Sequence, residues 1–291
     1  MVTGATSGIG KQTALSLAKM GATVLIVGRN PDKCKSTVEK IRKKSKNNSV
    51  KYLLADLSSQ VDIFNLVHDF KKQYKLLHVL VNNAGARFMT REISADGIEM
   101  SFAVNHLAYF LLSNLLIDIL RTNETARIIN VASGAHDTEI DFDDLQREDR
   151  YDGGKAYAQS KLANLIFTYE LARKLQGTGI TVNVVDPGGV ATNFNRNNGL
   201  FDWIGHLFAN TLSRNLKSSK KGAYVTVYMA SAPEVENLTG HFCTYDTSIS
   251  YAELTFDNSL SRKLWEVSEK LTGVNKPDHL YQTSVTYSRW K

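Results

Sequence analysis

The sequence contains few cysteines and no long uninterrupted run of apolar residues. Its two cysteines, Cys34 and Cys243, stand far apart without CxxC spacing, which argues against a disulfide framework and a cysteine-based zinc site. No stretch reaches the roughly 18 apolar residues of a membrane span, and no signal peptide is recognisable. We therefore expect a protein of the reducing cytoplasm without a transmembrane segment.

The sequence also lacks a large excess of charge of either sign. The chain has 35 basic and 29 acidic side chains, a formal net charge of +6. Much of the excess lies in residues 33–46, which predict one helix with a solvated basic face. No aromatic residues interleave with these cations as in nucleic-acid-binding proteins, and the 7 histidines lack the spacing of metal ligands. We expect neither a nucleic-acid partner nor a metal site, and a small molecule as the ligand.

Strand-like apolar runs alternate with segments of helical periodicity along most of the chain. The runs include ATVLIV, VKYLLA, LHVLVNNAG and ARIINVAS, with amphipathic segments between them. This alternation predicts the α/β class, with a doubly wound (Rossmann) parallel sheet and helices on both faces. The predicted helices include 61–74, about 97–120, about 155–175 and about 222–230.

No linker-like composition divides the chain, so we predict a single domain over residues 1–275. It includes a substrate lid at about 193–220, and a polar tail follows over 276–291. Only Met1 and Val2 precede the first turn, whereas a central strand normally has five or six residues. Either residues that complete this strand are missing before Met1, which we favour, or the first strand is truncated at the N-terminus and pairs weakly.

A glycine-rich turn lies between the first predicted strand and the first predicted helix. Residues 3–10, TGATSGIG, place Gly4, Gly8 and Gly10 where the backbone can approach a pyrophosphate over the positive end of the helix. Their spacing is GxxxGxG and differs from the GxGxxG dinucleotide fingerprint. Because any tight turn favours glycine, it is the position within a βαβ unit that predicts a phosphate-binding loop.

The end of the second predicted strand indicates which nucleotide is bound. An NAD-specific protein places a carboxylate there for the ribose 2′-hydroxyl, whereas this chain has Gly28 followed by Arg29. A forked guanidinium suits a 2′-phosphate, so we predict NADP(H); the alternative is a solvated arginine at a strand end. Asp56 closes the third strand and is expected near the adenine amino group, with Leu57 beside the ring.

Tyr157 and Lys161 lie four residues apart on a predicted helix and therefore share one face. A tyrosine titrates near pH ~10, and a nearby ammonium lowers that pKa, which permits acid/base catalysis. Ser133 ends the fifth strand at the edge where doubly wound folds bind ligands, and its hydroxyl is placed to bond a substrate carbonyl. Asn105 lies among apolar neighbours, where it either holds a water near Lys161 or bonds backbone and bends the helix.

These motifs occur in an order that resembles the short-chain dehydrogenase/reductase superfamily. The resemblance covers residues 2–273 and includes TGATSGIG, NNAG at 82–85, the YxxxK pair and DPGGVAT. Within the superfamily the chain is similar to the retinol dehydrogenase-like group, through DGIEMSFAVNHLAYFLLSNLL, ARIINVASGAH and KAYAQSKLANLIFTYELARKLQGTGITVNVVDPGGVATN. Ala108 and Tyr109 depart from the Gly and the His or aromatic residue expected there.

The resemblance implies hydride transfer between NADP(H) and a carbonyl or alcohol, and a homodimer formed through the helices that start near Gly97 and Lys155. It places the NNAG residues at the adenosine ribose, the DPGGVAT residues at the nicotinamide and Lys161 at the nicotinamide ribose. The implied catalytic residues are Asn105, Ser133, Tyr157 and Lys161. Together with the positions derived above, the predicted cofactor-binding residues are Gly4, Thr6, Ser7, Gly8, Ile9, Gly10, Arg29, Asp56, Leu57, Asn82, Ala84, Gly85, Tyr157, Lys161, Pro187, Gly188, Val190 and Thr192.

An apolar stripe at helical spacing lies within residues 193–215 and contains Phe201, Ile204 and Phe208. In the family this region covers the substrate, so we expect a lid over an apolar carbonyl compound or alcohol. The alternatives are an ordinary core helix and a peripheral membrane contact. His136 is expected to be a loop histidine without a role. For the whole protein, the alternative function is that of a non-catalytic dinucleotide-binding regulatory protein on the same fold.

Overall fold

A computed structural model describes residues 1–134, 139–189, 218–251 and 258–274. One eight-stranded sheet of order β3-β2-β1-β4-β5-β6-β7-β8 forms its centre, and neighbouring strands are parallel except for the last pair. The predicted doubly wound α/β fold is thus confirmed. The strands are β1 Val2–Thr3, β2 Val24–Gly28, β3 Val50–Leu54, β4 Val79–Asn82, β5 Ala126–Val131, β6 Ile180–Asp186, β7 His241–Thr244 and β8 Ile249–Tyr251.

Helices cover the sheet and enclose separate apolar clusters with it. The predicted helices are confirmed, with ends shifted by a few residues. Strand β8 was not predicted, because three residues are too few to establish an alternating pattern. The helices are α1 Gly8–Lys19, α2 Pro31–Ser45, α3 Gln60–Gln73, α4 Met100–Phe102, α5 Ala108–Leu120, α6 Gly153–Lys174, α7 Ser219–Ser231 and α8 Asn258–Thr272.

The two-residue strand β1 lies in the middle of the sheet. Val2 pairs with Ile26 of β2 on one side and with Val81 of β4 on the other. The direction in which the chain winds reverses between β1 and β4, and such a switch point leaves a crevice at the carboxyl ends of the strands. Strands β5 and β6 end at the same edge, so their loops also border the crevice.

A long apolar helix lies beside this sheet. It runs over Met100–Leu120 and consists of α4, a π-helical segment Ala103–Leu107 and α5. By length and apolarity it could span a membrane, but 72% of its most apolar window is buried inside the protein, as expected for a core helix. Tyr109, which departs from the family pattern, is buried and donates its hydroxyl hydrogen bond to the Ala84 carbonyl oxygen at 2.7 Å. This tyrosine therefore fixes the chain just after β4.

The C-terminal helix α8 packs against α6. Trp265 of α8 meets the Phe110 ring edge-on at 4.9 Å and stacks on Phe167 of α6 at 6.0 Å. The Lys174 Nζ lies over the Trp265 ring at 4.4 Å. One side of α6, a helix at which we expect the homodimer contact, is thus covered by the chain's own helix, and dimerisation stays a prediction.

Candidate active site

The glycine-rich loop after β1 packs closely against the loop after β4. Gly4 has a φ of +62°, and a Cβ there would lie 2.7 Å from the Ala84 Cα. A Cβ at Gly10 would overlap the side-chain amide of Asn83 and lie 2.8 Å from the Gly4 carbonyl oxygen. That amide donates to the Thr3 carbonyl oxygen at 2.8 Å, which fixes its position. Because only glycine fits at these two positions, the loop presents backbone to a ligand.

The N-terminus of α1 has the properties of an anion-binding site. Within the described part of the chain, Ser7 at the N-cap makes no side-chain capping bond, and no acidic residue stands in the first turn. The backbone N–H groups of Gly8, Ile9 and Gly10 therefore have no side-chain cap and can donate to phosphate oxygens. The residues present fit a dinucleotide, since the cradle is one that a Cβ at Gly4 or Gly10 would fill.

The predicted adenosine-phosphate contact lies at the end of β2. A Cβ at Gly28 would lie 2.8 Å from both Cys34 Sγ and Thr6 Cγ2, so this position is closely packed beside the phosphate loop. Arg29 follows as an exposed residue. Its guanidinium is accessible at the edge of the nucleotide crevice, where a 2′-phosphate would need a cation.

Asp56 and Leu57 follow β3 on the same side of the switch point. The Asp56 Oδ1 accepts hydrogen bonds from the Ser58 backbone N–H and hydroxyl at 3.0 and 2.7 Å. These two bonds fix the carboxylate, and Leu57 is 8% exposed beside it. The predicted contacts with the adenine ring stay predictions.

Asn82 at the end of β4 faces the interior of the protein. Its Nδ2 donates to Ser113 Oγ and to Asn130 Oδ1, both at 2.9 Å, and the side chain is fully buried. Asn82 therefore connects β4 to α5 and β5, which supports the sheet as expected. The expected contact of this residue with the ribose stays a prediction. Ala84 is also buried, whereas Gly85 is partly exposed.

Ser133 and Tyr157 meet at the carboxyl edge of the sheet. Ser133 follows β5, Tyr157 lies in the second turn of α6, and the two side chains are hydrogen-bonded. Burial raises the pKa of Tyr157 to about 12; the Ser133 bond opposes this rise, the charge of Asp186 adds to it and that of Arg87 opposes it. The phenol is therefore protonated at neutral pH and can donate a proton.

Lys161 lies one turn further along α6 and is 3% exposed. Its Nζ donates to the Val131 carbonyl oxygen at 3.0 Å and lies 5.8 Å from the centre of the Tyr157 ring. Burial lowers the pKa of Lys161 to about 7, and the carboxylate of Asp186 opposes that shift. The two predicted side chains are thus brought together around the end of β5.

The expected lowering of the Tyr157 pKa by Lys161 stays a prediction. In the structure the groups that lower the pKa of Tyr157 are the Ser133 hydroxyl and the Arg87 guanidinium. Lys161 instead directs its Nζ to the Val131 carbonyl oxygen. Its own lowered pKa also reduces the positive charge that it carries near neutral pH.

Asn105 holds the chain that leaves the NNAG motif. Its Oδ1 accepts from the Ala86 N–H at 2.8 Å, and its Nδ2 donates to the Ala86 carbonyl oxygen and to Ser160 Oγ, both at 2.9 Å. Its backbone oxygen accepts from Asn164 Nδ2 at 2.8 Å. These bonds, together with the π-helical segment around Asn105, favour the second alternative, a helix-deforming residue bonded to backbone. Asn105 thus holds the chain after the NNAG motif against α6.

Strand β6 ends at Asp186, which was not among the predicted site residues. Its Oδ1 accepts from the Gly188 N–H at 2.9 Å, and Gly188 has a φ of +69°. Its other oxygen would lie 3.2 Å from a Cβ at Gly134, next to Ser133. Asp186 therefore fixes the turn of Pro187 and Gly188 against the end of β5. Two further predicted cofactor-binding residues, Val190 and Thr192, lie outside the described residues.

Comparison with known proteins identifies the family. The family profile described as short chain dehydrogenase matches residues 1–202. The chain belongs to the short-chain dehydrogenase family. It is 39% identical to the polyprenol dehydrogenase of Homo sapiens, covering 94% of this chain and 84% of that protein. It is also 39% identical to retinol dehydrogenase 12 of Homo sapiens, covering 94% of this chain and 86% of that protein.

A solved structure of a short chain dehydrogenase from Burkholderia cenocepacia in complex with NADP is similar to this chain. It shares 26% identity with a TM-score of 0.64, covering 84% of this chain and 94% of that one. These relatives confirm the resemblance to the retinol dehydrogenase-like group. This short-chain dehydrogenase is therefore an oxidoreductase with a fold that binds a nicotinamide dinucleotide.

Arg87 is the second residue of this short-chain dehydrogenase that sequence reasoning missed. It stands two residues after the NNAG motif, and its charge reaches the Tyr157 hydroxyl. Its position in the sequence could have indicated this role. The chain that follows the NNAG motif lies at the switch point of the sheet, where doubly wound folds bind ligands. Residues 193–217 of the predicted lid at about 193–220, His136 and the tail 276–291 lie outside the described residues; the last residues of the predicted lid belong to the start of α7.

Proposed function

We propose that this protein is an NADP(H)-dependent oxidoreductase that interconverts a carbonyl compound and an alcohol, with Tyr157 as the acid/base. The observation that carries the proposal is the hydrogen-bonded pair of Ser133 and Tyr157 above Lys161, at the edge of the sheet where the phosphate loop also opens. A sensor that only binds dinucleotide would not require a titratable pair at this place.

The nicotinamide, when bound, supplies the hydride that is exchanged with the carbon of the substrate. In the direction of reduction, the Tyr157 hydroxyl donates its proton to the carbonyl oxygen, since the phenol is protonated at neutral pH. The Ser133 hydroxyl donates a hydrogen bond to the same oxygen as negative charge develops there. Pro187 and Gly188, held by Asp186, would support the nicotinamide.

The preference for NADP(H) rests on Arg29 and Gly28. The exposed guanidinium follows β2 directly, and Gly28 provides no carboxylate of the kind that selects NAD. The Burkholderia cenocepacia relative, described with NADP, supports the same preference. We further propose a substrate with an apolar body, because the retinol and polyprenol dehydrogenases to which the chain is similar are named for such alcohols.

The acid/base role is tested by NADPH consumption over a panel of aldehydes, ketones and retinoids with the wild type and Tyr157→Phe. We expect the substitution to lower kcat by about 10² to 10⁴-fold, the usual contribution of a positioned general acid. Tyr74→Phe is the matched control, since Tyr74 follows α3 and stacks on Phe70 away from the Ser133–Tyr157 pair. Undiminished turnover by Tyr157→Phe contradicts the assignment of this residue, and a wild type without turnover on any carbonyl favours the regulatory alternative.

Cofactor choice is tested by the dissociation constants of NADPH and NADH for the wild type and Arg29→Ala. We expect the wild type to bind NADPH at least 10-fold more tightly, as for a charge-assisted pair with phosphate. In Arg29→Ala that preference should shrink while NADH affinity is retained. Equal affinities of the wild type for the two nucleotides contradict the role of Arg29.

A further inference from the structure

Arg87 lies between the chain after β4 and the first turn of α6. The Arg87 Nη2 would lie 3.2 Å from a Cβ at Gly154, one turn before Tyr157. Its backbone is fixed on both sides, because Asn105 bonds both backbone groups of Ala86 and Tyr151 donates to the Phe88 carbonyl oxygen at 2.9 Å. The position of the guanidinium beside the first turn of α6 is thus fixed by the fold.

The Arg87 side chain is half-buried, and one of its donors has no acceptor among the described residues. Its Nε is buried and, in the structure as described, has no hydrogen-bond partner. Among the described residues, none of the ion pairs involves Arg87. Burying a charged donor without an acceptor is unfavourable by an amount comparable to a lost charged hydrogen bond. An acceptor supplied by a ligand would remove that cost.

The charged groups around Arg87 are committed to other bonds. The Asp152 Oδ1 accepts from the Gly154 and Lys155 N–H groups at 2.7 and 3.1 Å. The Asp186 Oδ1 accepts from the loop after β6, and Lys161 bonds the end of β5. The forked geometry of a guanidinium matches a carboxylate.

We propose that Arg87 binds a carboxylate of the substrate, located within a few bonds of the carbonyl carbon that is reduced. This inference rests on the proposed function and adds a substrate class to it. The substrate is then a keto or aldehyde acid whose acidic end is held by Arg87 beside Tyr157, while its apolar body extends away from the first turn of α6.

The test compares keto acids that have two to five carbons between carbonyl and carboxylate with their methyl esters. For the best acid, we expect Arg87→Gln to lower kcat/KM about 10 to 100-fold, the size of a hydrogen bond to a charged group. The ester should change by less than about 3-fold, which separates binding of the acid from a general effect on Tyr157. The matched control is Arg91→Gln, because Arg91 is on the same loop and pairs with Glu148 at 3.2 Å.

Equal losses for acid and ester in Arg87→Gln overturn the inference. A wild type that reduces neutral carbonyls as well as it reduces every acid also overturns it but leaves the proposed function intact; a wild type that reduces neither overturns both. If Arg87→Gln does not fold, calorimetry of the wild type with NADP⁺ decides. Binding of the corresponding saturated acid at least 10-fold tighter than its ester supports the inference, and equal binding overturns it.

Discussion

At the scale of single residues, burial shifts the acid/base pair toward its uncharged forms. It raises the pKa of Tyr157 to about 12 and lowers the pKa of Lys161 to about 7. An unfolded lysine keeps its proton up to a pH of about 10.4. Between about pH 7 and about pH 10.4 the unfolded chain binds more protons at this position than the folded one. The buried lysine therefore destabilises the fold fully below pH 7 and progressively less as pH rises toward 10.4.

We therefore predict that Lys161→Met raises the free energy of unfolding at pH 7 by about 1 to 2 kcal/mol, the usual gain at a functional site, while activity is lost. Urea unfolding at pH 7 and at pH 10 measures the effect, and the gain should be smaller at pH 10. The exposed Lys155 provides the control, since Lys155→Met should leave stability nearly unchanged. A Lys161→Met protein less stable than the wild type at pH 7 would contradict this account.

At the scale of elements, the C-terminal helix α8 is held by aromatic packing. Trp265 is 9% exposed, contacts Phe110 and Phe167, and donates through Nε1 to Glu269 at 2.8 Å. Helix α8 thereby covers one apolar side of α6, the helix that contains Tyr157. Docking of α8 and the geometry of the active site are thus linked through one helix.

We predict that Trp265→Ala lowers the free energy of unfolding by about 3 to 5 kcal/mol, as for large aromatic truncations in a core. Thermal and urea unfolding measure this loss. Arg262→Ala is the control on the exposed face of the same helix and should change stability by less than about 0.5 kcal/mol. Similar stabilities for Trp265→Ala and the control would show that α8 contributes little to the fold.

At the scale of the whole molecule, we expect the free energy of unfolding to decrease at acidic pH because of one buried histidine. His106 is fully buried among Phe102, Phe110 and Phe167, and its Nε2 lies 2.9 Å from Ser268 Oγ. Burial lowers the pKa of His106 to about 3, although a hydrogen bond with Asn164 opposes the shift. In the unfolded chain a histidine has a pKa of about 6.5. The stability that His106 provides by staying neutral in the fold is therefore fully present above about pH 6.5 and is lost as pH falls toward 3.

We predict that the free energy of unfolding falls by up to about 1.4 kcal/mol per pH unit below pH 6 through this one group. His106→Asn should show a shallower slope between pH 6 and pH 4, whatever its stability at pH 7. The exposed His68 serves as control, since His68→Asn should retain the slope of the wild type. If the free energy of unfolding has the same pH dependence in His106→Asn as in the wild type, His106 is not the cause of the acid sensitivity.

The fold and much of the site were predictable because they depend on local patterns. Glycine at positions 4 and 10 is required by close backbone contacts, and such contacts leave a recognisable sequence signature. Helical spacing alone placed Tyr157 and Lys161 on one face. Arg87 and Asp186 were missed because their proximity to Tyr157 arises from three separate loops. A location in the cytoplasm and the homodimer stay predictions.

The sequence by itself determined the order of strands and helices, the phosphate loop and the tyrosine–lysine pair, because periodicity and turn chemistry act over a few residues. Only the tertiary structure decided how the polar groups are used. It directed Lys161 to Val131, Asn105 to Ala86 and Arg87 to the first turn of α6. These partners are distant along the chain, and burial and electrostatic interaction depend on distance in space rather than on separation in sequence.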